Sequence, residues 1–190
     1  RAGWNYLDTG ALYRAVTWLA LSLDSQDAKV IIQGLKTSPI RFVANPQDPK
    51  VFCGDVDITD EIRTARITDA VSAISANPAI RQELLGLQHK IIEKADRGIV
   101  VEGRDIGTVV APEAGLKIYL TADLDARTVR RENEIDDKSV DVKASLDNRD
   151  VIDSTRTVSP LTMAADAVEV DSTYLDLYET IERIWELLKK

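Results

Sequence analysis

Apolar positions along the chain fall into two patterns, short continuous runs and longer series at helical spacing. The short runs predict buried strands, and the longer series predict helices with one apolar face. The predicted strands are residues 4–7, 40–44, 51–57, 99–101, 116–120 and 167–170. The predicted helices are residues 11–23, 27–35, 60–75, 78–96, 123–131 and 175–190. The predicted cap of the first helix is Asp8 or Thr9, and that of the fourth is Asn77, followed by Pro78. Because most strands alternate with helices, the sequence predicts an α/β fold with a parallel sheet covered by helices on both faces.

Two segments depart from this alternation. Residues 40–44 and 51–57 flank a turn-rich stretch with two prolines, Pro46 and Pro49, which predicts a small antiparallel hairpin apart from the main sheet. Residues 132–148 are very polar and include Asp136, Asp137 and Lys138, so we interpret them as a mobile flap.

Composition narrows the possible functions. The chain has 190 residues, a formal net charge of −8 and a pI near 4.8, which argues against binding nucleic acid through a broad basic surface. No apolar run approaches the roughly 20 residues that span a bilayer. Cys53 and His89 are each the sole residue of their type, which excludes an internal disulfide and a multi-histidine metal site. We expect a cytoplasmic protein.

Against this acidic background, four stretches combine arginine with aspartate. They are residues 8–14, 102–108, 149–150 and 153–156. Guanidinium groups bind phosphate oxygens in a bidentate manner and stay charged at any cellular pH. The first two stretches directly follow predicted strands, where ligands of parallel sheets bind. The pattern predicts that these arginines meet around one small phosphorylated molecule.

Each stretch also has a purely structural interpretation. Residues 8–14 could form a capped helix with a solvated arginine, residues 102–108 an ion pair at a strand end, and residues 149–156 a ladder of surface salt bridges. Taken alone, Arg81 is better explained as a solvated residue, and Ser72 carries no indication of function. The adjacent Arg130 and Arg131 could bind phosphate or complement a helix dipole.

Three motifs in this order resemble the bacterial cytidylate kinase family. They are Leu7-Asp8-Thr9-Gly10-Ala11-Leu12-Tyr13-Arg14, Glu102-Gly103-Arg104-Asp105-Ile106-Gly107-Thr108, and Arg149-Asp150 with Asp153-Ser154-Thr155-Arg156. The resemblance spans essentially the whole chain. It implies a P-loop NTPase-like fold with a core at residues 1–37 and 76–190, an inserted monophosphate-binding lobe at 38–75 and a lid at about 132–156. It also implies direct in-line transfer of the ATP γ-phosphate to CMP or dCMP, with Mg²⁺ and by a monomer.

The resemblance assigns roles to individual residues. Those implied to bind the acceptor's phosphate and sugar are Thr9, Tyr13, Arg14 and Arg104. Those implied to contact the cytosine are Ser72, Arg81 and Asp105. The implied catalytic residues, which would contact the sugar or the transferring phosphates, are Arg149, Asp153 and Arg156. Those implied to approach ATP are Arg130 and Arg131.

The sequence departs from the family in two places. It contains no Gly-rich P-loop with its lysine, and its lid is shorter than usual between Arg131 and Arg149. We expect the 190-residue polypeptide alone to bind CMP weakly and to turn over little. A P-loop upstream of Arg1 would support the kinase. Its absence would support a non-catalytic nucleotide-binding module, and a kinase for another small substrate such as UMP also stays open.

Overall fold

Strands and helices alternate along the chain in the computed structural model, which describes residues 1–134 and 141–189. Within this part the strands are β1 (Asn5–Asp8), β2 (Ile40–Val43), β3 (Lys50–Cys53), β4 (Val56–Asp57), β5 (Ile99–Glu102), β6 (Ile118–Thr121) and β7 (Val168–Asp171). The α-helices are α1 (Thr9–Ser22), α2 (Ala28–Thr37), α3 (Ala65–Ser75), α4 (Pro78–Glu93), α5 (Leu124–Glu134), α6 (Val142–Thr155) and α7 (Leu177–Leu188). The chain divides into two units, Arg1–Gly103 and Arg104–Lys190.

The first unit is organised by a parallel strand pair and the helix that follows it. β1 pairs with β5 in a register that sets Asp8 opposite Glu102 at the carboxyl ends of both strands. α1 begins immediately after β1, because the Asp8 carboxylate accepts a hydrogen bond from the backbone N–H of Ala11 and caps the helix. The predicted strand, cap and helix are confirmed here, and polar groups from the two strands meet at one edge.

The predicted hairpin is present and has a third strand. β2 pairs antiparallel with β3, and β3 with β4. The segment predicted as one strand is interrupted at Gly54, whose φ of 58° lies in the left-handed region and reverses the chain. Apolar side chains of this sheet, such as Val51, share a core with Leu12 and Val16 of α1. The assignment of residues 38–75 to a separate lobe stays a prediction.

Two predicted helices have different bounds in the structure. The helix predicted at residues 60–75 is wrong as a single element: a 3₁₀ turn, Glu61–Arg63, precedes α3, and Thr64 between them has an extended backbone with ψ of 157°. The next helix begins as predicted, with Asn77 as its cap and proline in its first turn. It ends at Glu93, three residues earlier than predicted.

The second unit contains the other parallel pair, β6 with β7, and helices α5, α6 and α7. A π-helical turn at Ile106–Val110 was not predicted. The predicted flap is helical at residues 132–134 and 142–148, because α5 extends to Glu134 and α6 begins at Val142, where Asp141 caps it. The middle of that segment, including Asp136, Asp137 and Lys138, lies outside the described residues.

Among the described residues, no helix is both long enough and apolar enough to cross a membrane.

Candidate functional site

The N-terminus of α1 lies at the carboxyl ends of β1 and β5. The Thr9 hydroxyl, almost fully buried, donates to the backbone carbonyl of Glu102 at 2.7 Å. A side chain on Gly10 would place its Cβ 3.0 Å from a carboxylate oxygen of Asp8, so glycine keeps the helix cap undisturbed. The first backbone N–H groups of a helix attract anions. This edge therefore has the elements of an anion-binding seat.

Tyr6 makes a second polar contact at the same edge. Its hydroxyl donates to the Glu102 carboxylate at 2.7 Å. Burial, and then this hydrogen bond, raise the pKa of Tyr6 above its usual range. The phenol therefore stays protonated and fixes the Glu102 side chain.

Arg14 lies one helical turn beyond the seat, and its guanidinium is held by main-chain and hydroxyl acceptors. Its Nη1 donates to the Ile62 carbonyl at 3.0 Å and to the Thr68 hydroxyl at 2.8 Å. The 3₁₀ turn and α3 therefore determine where Arg14 points. The interpretation of Arg14 as a solvated arginine is wrong, since its side chain is half-buried.

Arg81 is buried near the start of α4, only 5% exposed. Its Nη1 donates to the Ser75 carbonyl at 3.0 Å, and its guanidinium carbon lies 5.0 Å from the centroid of the Tyr13 ring. The interpretation of Arg81 as a solvated residue is therefore wrong. Ser72, on the last turn of α3, is half-buried, and its carbonyl accepts from the Ser75 hydroxyl at 3.2 Å. The structure thus brings Tyr13 and Arg81 together.

In the second unit, carboxylates of α6 position the arginines. Asp150 bridges two guanidinium groups, accepting from Arg104 at 3.2 Å and from Arg127 at 2.5 Å. Asp153 lies one turn along α6 and 3.5 Å from the Nε of Arg104. The interpretation of these residues as an exposed ladder along one helix is only partly right. Asp153 does pair with Arg156 three positions on, but both side chains are buried, and the other partners, Arg104 and Arg127, come from other segments.

Arg156 follows the last residue of α6 and is buried, with 7% of its side chain exposed. Its Nη1 pairs with Asp153 at 2.9 Å, and its Nε donates to the Ser159 carbonyl at 2.6 Å. Arg149 lies in the same helix, and burial, followed by the positive charge of Arg104, lowers its pKa. Asp150 and Asp153 thus join Arg104, Arg127 and Arg156 in one ion-pair network.

The remaining predicted residues make contacts of other kinds. Arg130 donates to the hydroxyl and carbonyl of Ser172 and to the Leu175 carbonyl, so it joins α5 to the segment after β7. Arg131 pairs with Glu134 at 2.8 Å on the exposed side of α5. These contacts are structural, and a role of either arginine towards ATP stays a prediction.

Asp105 precedes the π-helical turn and is buried, 6% exposed. Its backbone carbonyl accepts from the N–H of Val109 at 2.9 Å. A role for its side chain towards the cytosine base stays a prediction.

The structure adds two arginines that sequence reasoning missed. Arg63 pairs with Asp8 at 2.6 Å, and Arg127 pairs with Asp150 and donates to the Ala122 carbonyl. Arg63 is 55 positions from its partner and Arg127 is 23 positions from its own. No local spacing rule connects such pairs, so the sequence contained no signal for them.

Comparisons with known proteins agree with the geometry. The family model described as cytidylate kinase matches residues 1–190. A cytidylate kinase of Streptococcus pneumoniae strain 70585 is 45% identical, over 96% of this chain and 84% of the relative. The cytidylate kinase of strain Hungary19A-6 is 44% identical over the same shares. The chain therefore belongs to the cytidylate kinase family.

Proposed function

We propose that this protein transfers the γ-phosphate of ATP to CMP or dCMP by direct in-line phosphoryl transfer. The observation that carries the proposal is the cytidylate kinase match over residues 1–190. The buried and paired arginines support it, because phosphoryl transfer depends on positioning and charge neutralisation more than on covalent chemistry. A non-catalytic module and a UMP kinase are not favoured by this membership.

The residues assigned to the acceptor nucleotide lie around the N-terminus of α1, on α3 and α4, and directly after β5. Thr9 and the N-terminus of α1 bind the monophosphate, and Arg14 provides a guanidinium to the same phosphate. The contact between Arg81 and Tyr13 supports the assignment of a planar base to this place. A guanidinium group has both a planar face and hydrogen-bond donors, which suit recognition of a base. The residues assigned to the cytosine are Ser72, Arg81 and Asp105, and Arg104 is assigned to the acceptor phosphate and sugar.

The transferring phosphate is assigned to Arg156, with Arg149 and Asp153 beside it. Their support is the ion-pair network of α6, in which Asp153 contacts both Arg104 and Arg156. A guanidinium held by a carboxylate is pre-oriented for a phosphate that competes for it. The described parts of the predicted lid, residues 132–134 and 141–156, are proposed to close over the phosphates and exclude water, which suppresses hydrolysis of ATP. Arg130 and Arg131 are assigned to the ATP side of this lid.

Mg²⁺ is proposed to enter as its complex with ATP. Mg²⁺ is usually bound by one or two carboxylates together with substrate phosphates, so it needs no all-protein cage. In residues 1–134 and 141–189 no three His, Cys, Asp or Glu side chains group in a way that could hold a metal ion. When bound, the metal would neutralise charge on the ATP phosphates, while the arginines named above orient the acceptor and the transferring phosphate. We further propose that the protein is a cytoplasmic monomer.

Measuring ADP release by the full-length protein with ATP, Mg²⁺ and each of four nucleotides tests this function. CMP and dCMP should be phosphorylated, with kcat/KM well above those for UMP and AMP. UMP turned over better than CMP would identify a different pyrimidine kinase. Binding of CMP with no ADP release would identify a non-catalytic module. Sedimentation velocity of the same sample tests the monomer.

A further inference from the structure

A buried negative charge lies beside the seat proposed for the acceptor phosphate. Asp8 is 8% exposed and directly precedes Thr9 at the N-terminus of α1. One of its carboxylate oxygens accepts from the Ala11 N–H at 2.9 Å, which fixes the side chain at the helix end. Two anions in one partly buried place repel each other strongly. An unpaired Asp8 would therefore oppose a phosphate bound at this end of α1.

Arg63 supplies the compensating charge. Its Nη2 lies 2.6 Å from the other carboxylate oxygen of Asp8, while 58% of its own side chain is exposed. A hydrogen bond between two charged groups at this distance is among the stronger contacts in proteins. Asp8 thus has both oxygens engaged, one by the helix backbone and one by Arg63.

The backbone around Arg63 is itself attached to α1. The Glu61 carboxylate accepts from Trp18 Nε1 at 2.6 Å, and the Ile62 carbonyl accepts from Arg14. Three consecutive residues of the 3₁₀ turn therefore contact α1 at three separate points. These contacts fix the backbone of the turn against α1, so that the guanidinium of Arg63 reaches Asp8 at the N-terminus of the helix.

We propose that Arg63 is a positioning residue for acceptor binding, which acts by neutralising Asp8 and thereby makes the N-terminus of α1 able to accept a phosphate. This inference rests on the proposed function, because it assumes that the monophosphate binds at Thr9 and Arg14. It concerns affinity for the phosphate group alone. Arg63 need not touch the substrate.

Replacing Arg63 with glutamine tests the first half of this idea. The dissociation constant of CMP, measured by isothermal titration calorimetry on the full-length protein, should rise about tenfold, because a partly buried like charge then faces the phosphate. The dissociation constant of cytidine, which lacks the phosphate, should stay unchanged. Equal weakening of CMP and cytidine would indicate a general structural defect and overturn the proposal.

A second substitution tests the route through Asp8. In Arg63→Gln/Asp8→Asn, asparagine retains the helix cap but removes the carboxylate charge, since asparagine caps helices as well as aspartate. CMP affinity should return to within about twofold of the wild type if charge repulsion is the cause. Affinity that stays low in the double variant would mean that Arg63 binds the phosphate directly, and the proposal would be wrong.

Arg66→Gln is the matched control. Arg66 is exposed on the first turn of α3 and makes no hydrogen bond or ion pair within residues 1–134 and 141–189. The substitution therefore removes the same formal charge three residues away from Arg63. Its CMP affinity should equal that of the wild type. If the wild-type protein itself fails to bind CMP, the proposed function fails. If the wild type binds CMP and Arg63→Gln binds it equally well, only this inference fails.

Discussion

Two pairs of arginines, one pair in each unit, differ in the partners that orient them. In the first unit, Arg14 and Arg81 donate to the backbone carbonyls of Ile62 and Ser75. In the second unit, Arg104 and Arg156 pair with carboxylates of α6, and Arg156 also donates to the Ser159 carbonyl. A backbone carbonyl has a position set by the fold, whereas a carboxylate sits on rotatable bonds and can exchange its partner.

This difference suggests a division of labour. A guanidinium fixed by carbonyls keeps one orientation and suits recognition of a substrate that has a constant shape. A guanidinium held by a carboxylate can pass to a phosphate, because both are oxyanions that accept the same planar donors. We expect substitutions in the first unit to change mainly affinity and selectivity, and substitutions in the network of α6 to change mainly turnover.

The largest effect is expected from Arg156→Ala. If Arg156 neutralises charge on the migrating phosphate, kcat should fall by about 10³, as it does when an arginine finger is lost. The KM for CMP should change little, because Arg156 is not assigned to the acceptor. Steady-state ADP release with saturating CMP and ATP measures this.

Two measurements distinguish a loss of catalysis from a folding defect in this variant. Arg156 is buried beside Asp153, so its loss leaves a carboxylate with one partner fewer, and the thermal midpoint of each variant should be recorded. Arg183→Ala, on the exposed side of α7, serves as the control and should retain wild-type kcat. A folded Arg156→Ala protein with unchanged kcat would remove the assigned role and with it the comparison.

A smaller and more selective effect is expected from Arg81→Ala. The ratio of kcat/KM for CMP to that for UMP should fall about tenfold, the size of one lost hydrogen bond to a charged group. Saturated turnover of CMP should fall less than this ratio. Equal loss with CMP and UMP would contradict base recognition by Arg81.

Local rules of chain conformation predicted much of the fold. Asn77 was predicted as a helix cap, and Asp8 as one of two candidates, because capping depends on residues two or three positions apart. The same rules did not predict the turn at Gly54, since a glycine inside an apolar run is compatible with both a continuous strand and a turn. The π-helical turn at Ile106–Val110 also has no local pattern that separates it from an extended loop.

Only the site residues that lie in recognisable sequence motifs could be predicted. Arg14 and Arg104 were found because each lies in a short stretch that contains aspartate and follows a predicted strand. The burial of Arg81 was not predicted, because its partner Ser75 and the Tyr13 ring meet it only after α1, α3 and α4 pack. Arg63 and Arg127 were missed for the same reason: each finds its carboxylate through tertiary structure.

Asp150→Asn sharpens the comparison within the second unit. Asparagine keeps one acceptor oxygen but loses the charge that joins Arg104 to Arg127. We expect kcat to fall about fivefold, since a charge-assisted bond becomes an ordinary one, and the KM for CMP to rise as well, because Arg104 is assigned to the acceptor. Asp147→Asn, an exposed position on α6, should leave kcat unchanged. An effect on the KM for CMP with no effect on kcat would place Asp150 with the first group of residues.

The smallest effect is expected from Thr68→Val, the matching test in the first unit. Valine has nearly the shape of threonine but cannot accept the hydrogen bond from Arg14, and the Ile62 carbonyl still holds the same nitrogen. The KM for CMP should rise about threefold, as expected for one neutral acceptor, with kcat unchanged. A fall in kcat as large as that of Asp150→Asn would contradict the comparison. It would mean that the Thr68 side chain, and not the Ile62 carbonyl, determines the orientation of Arg14.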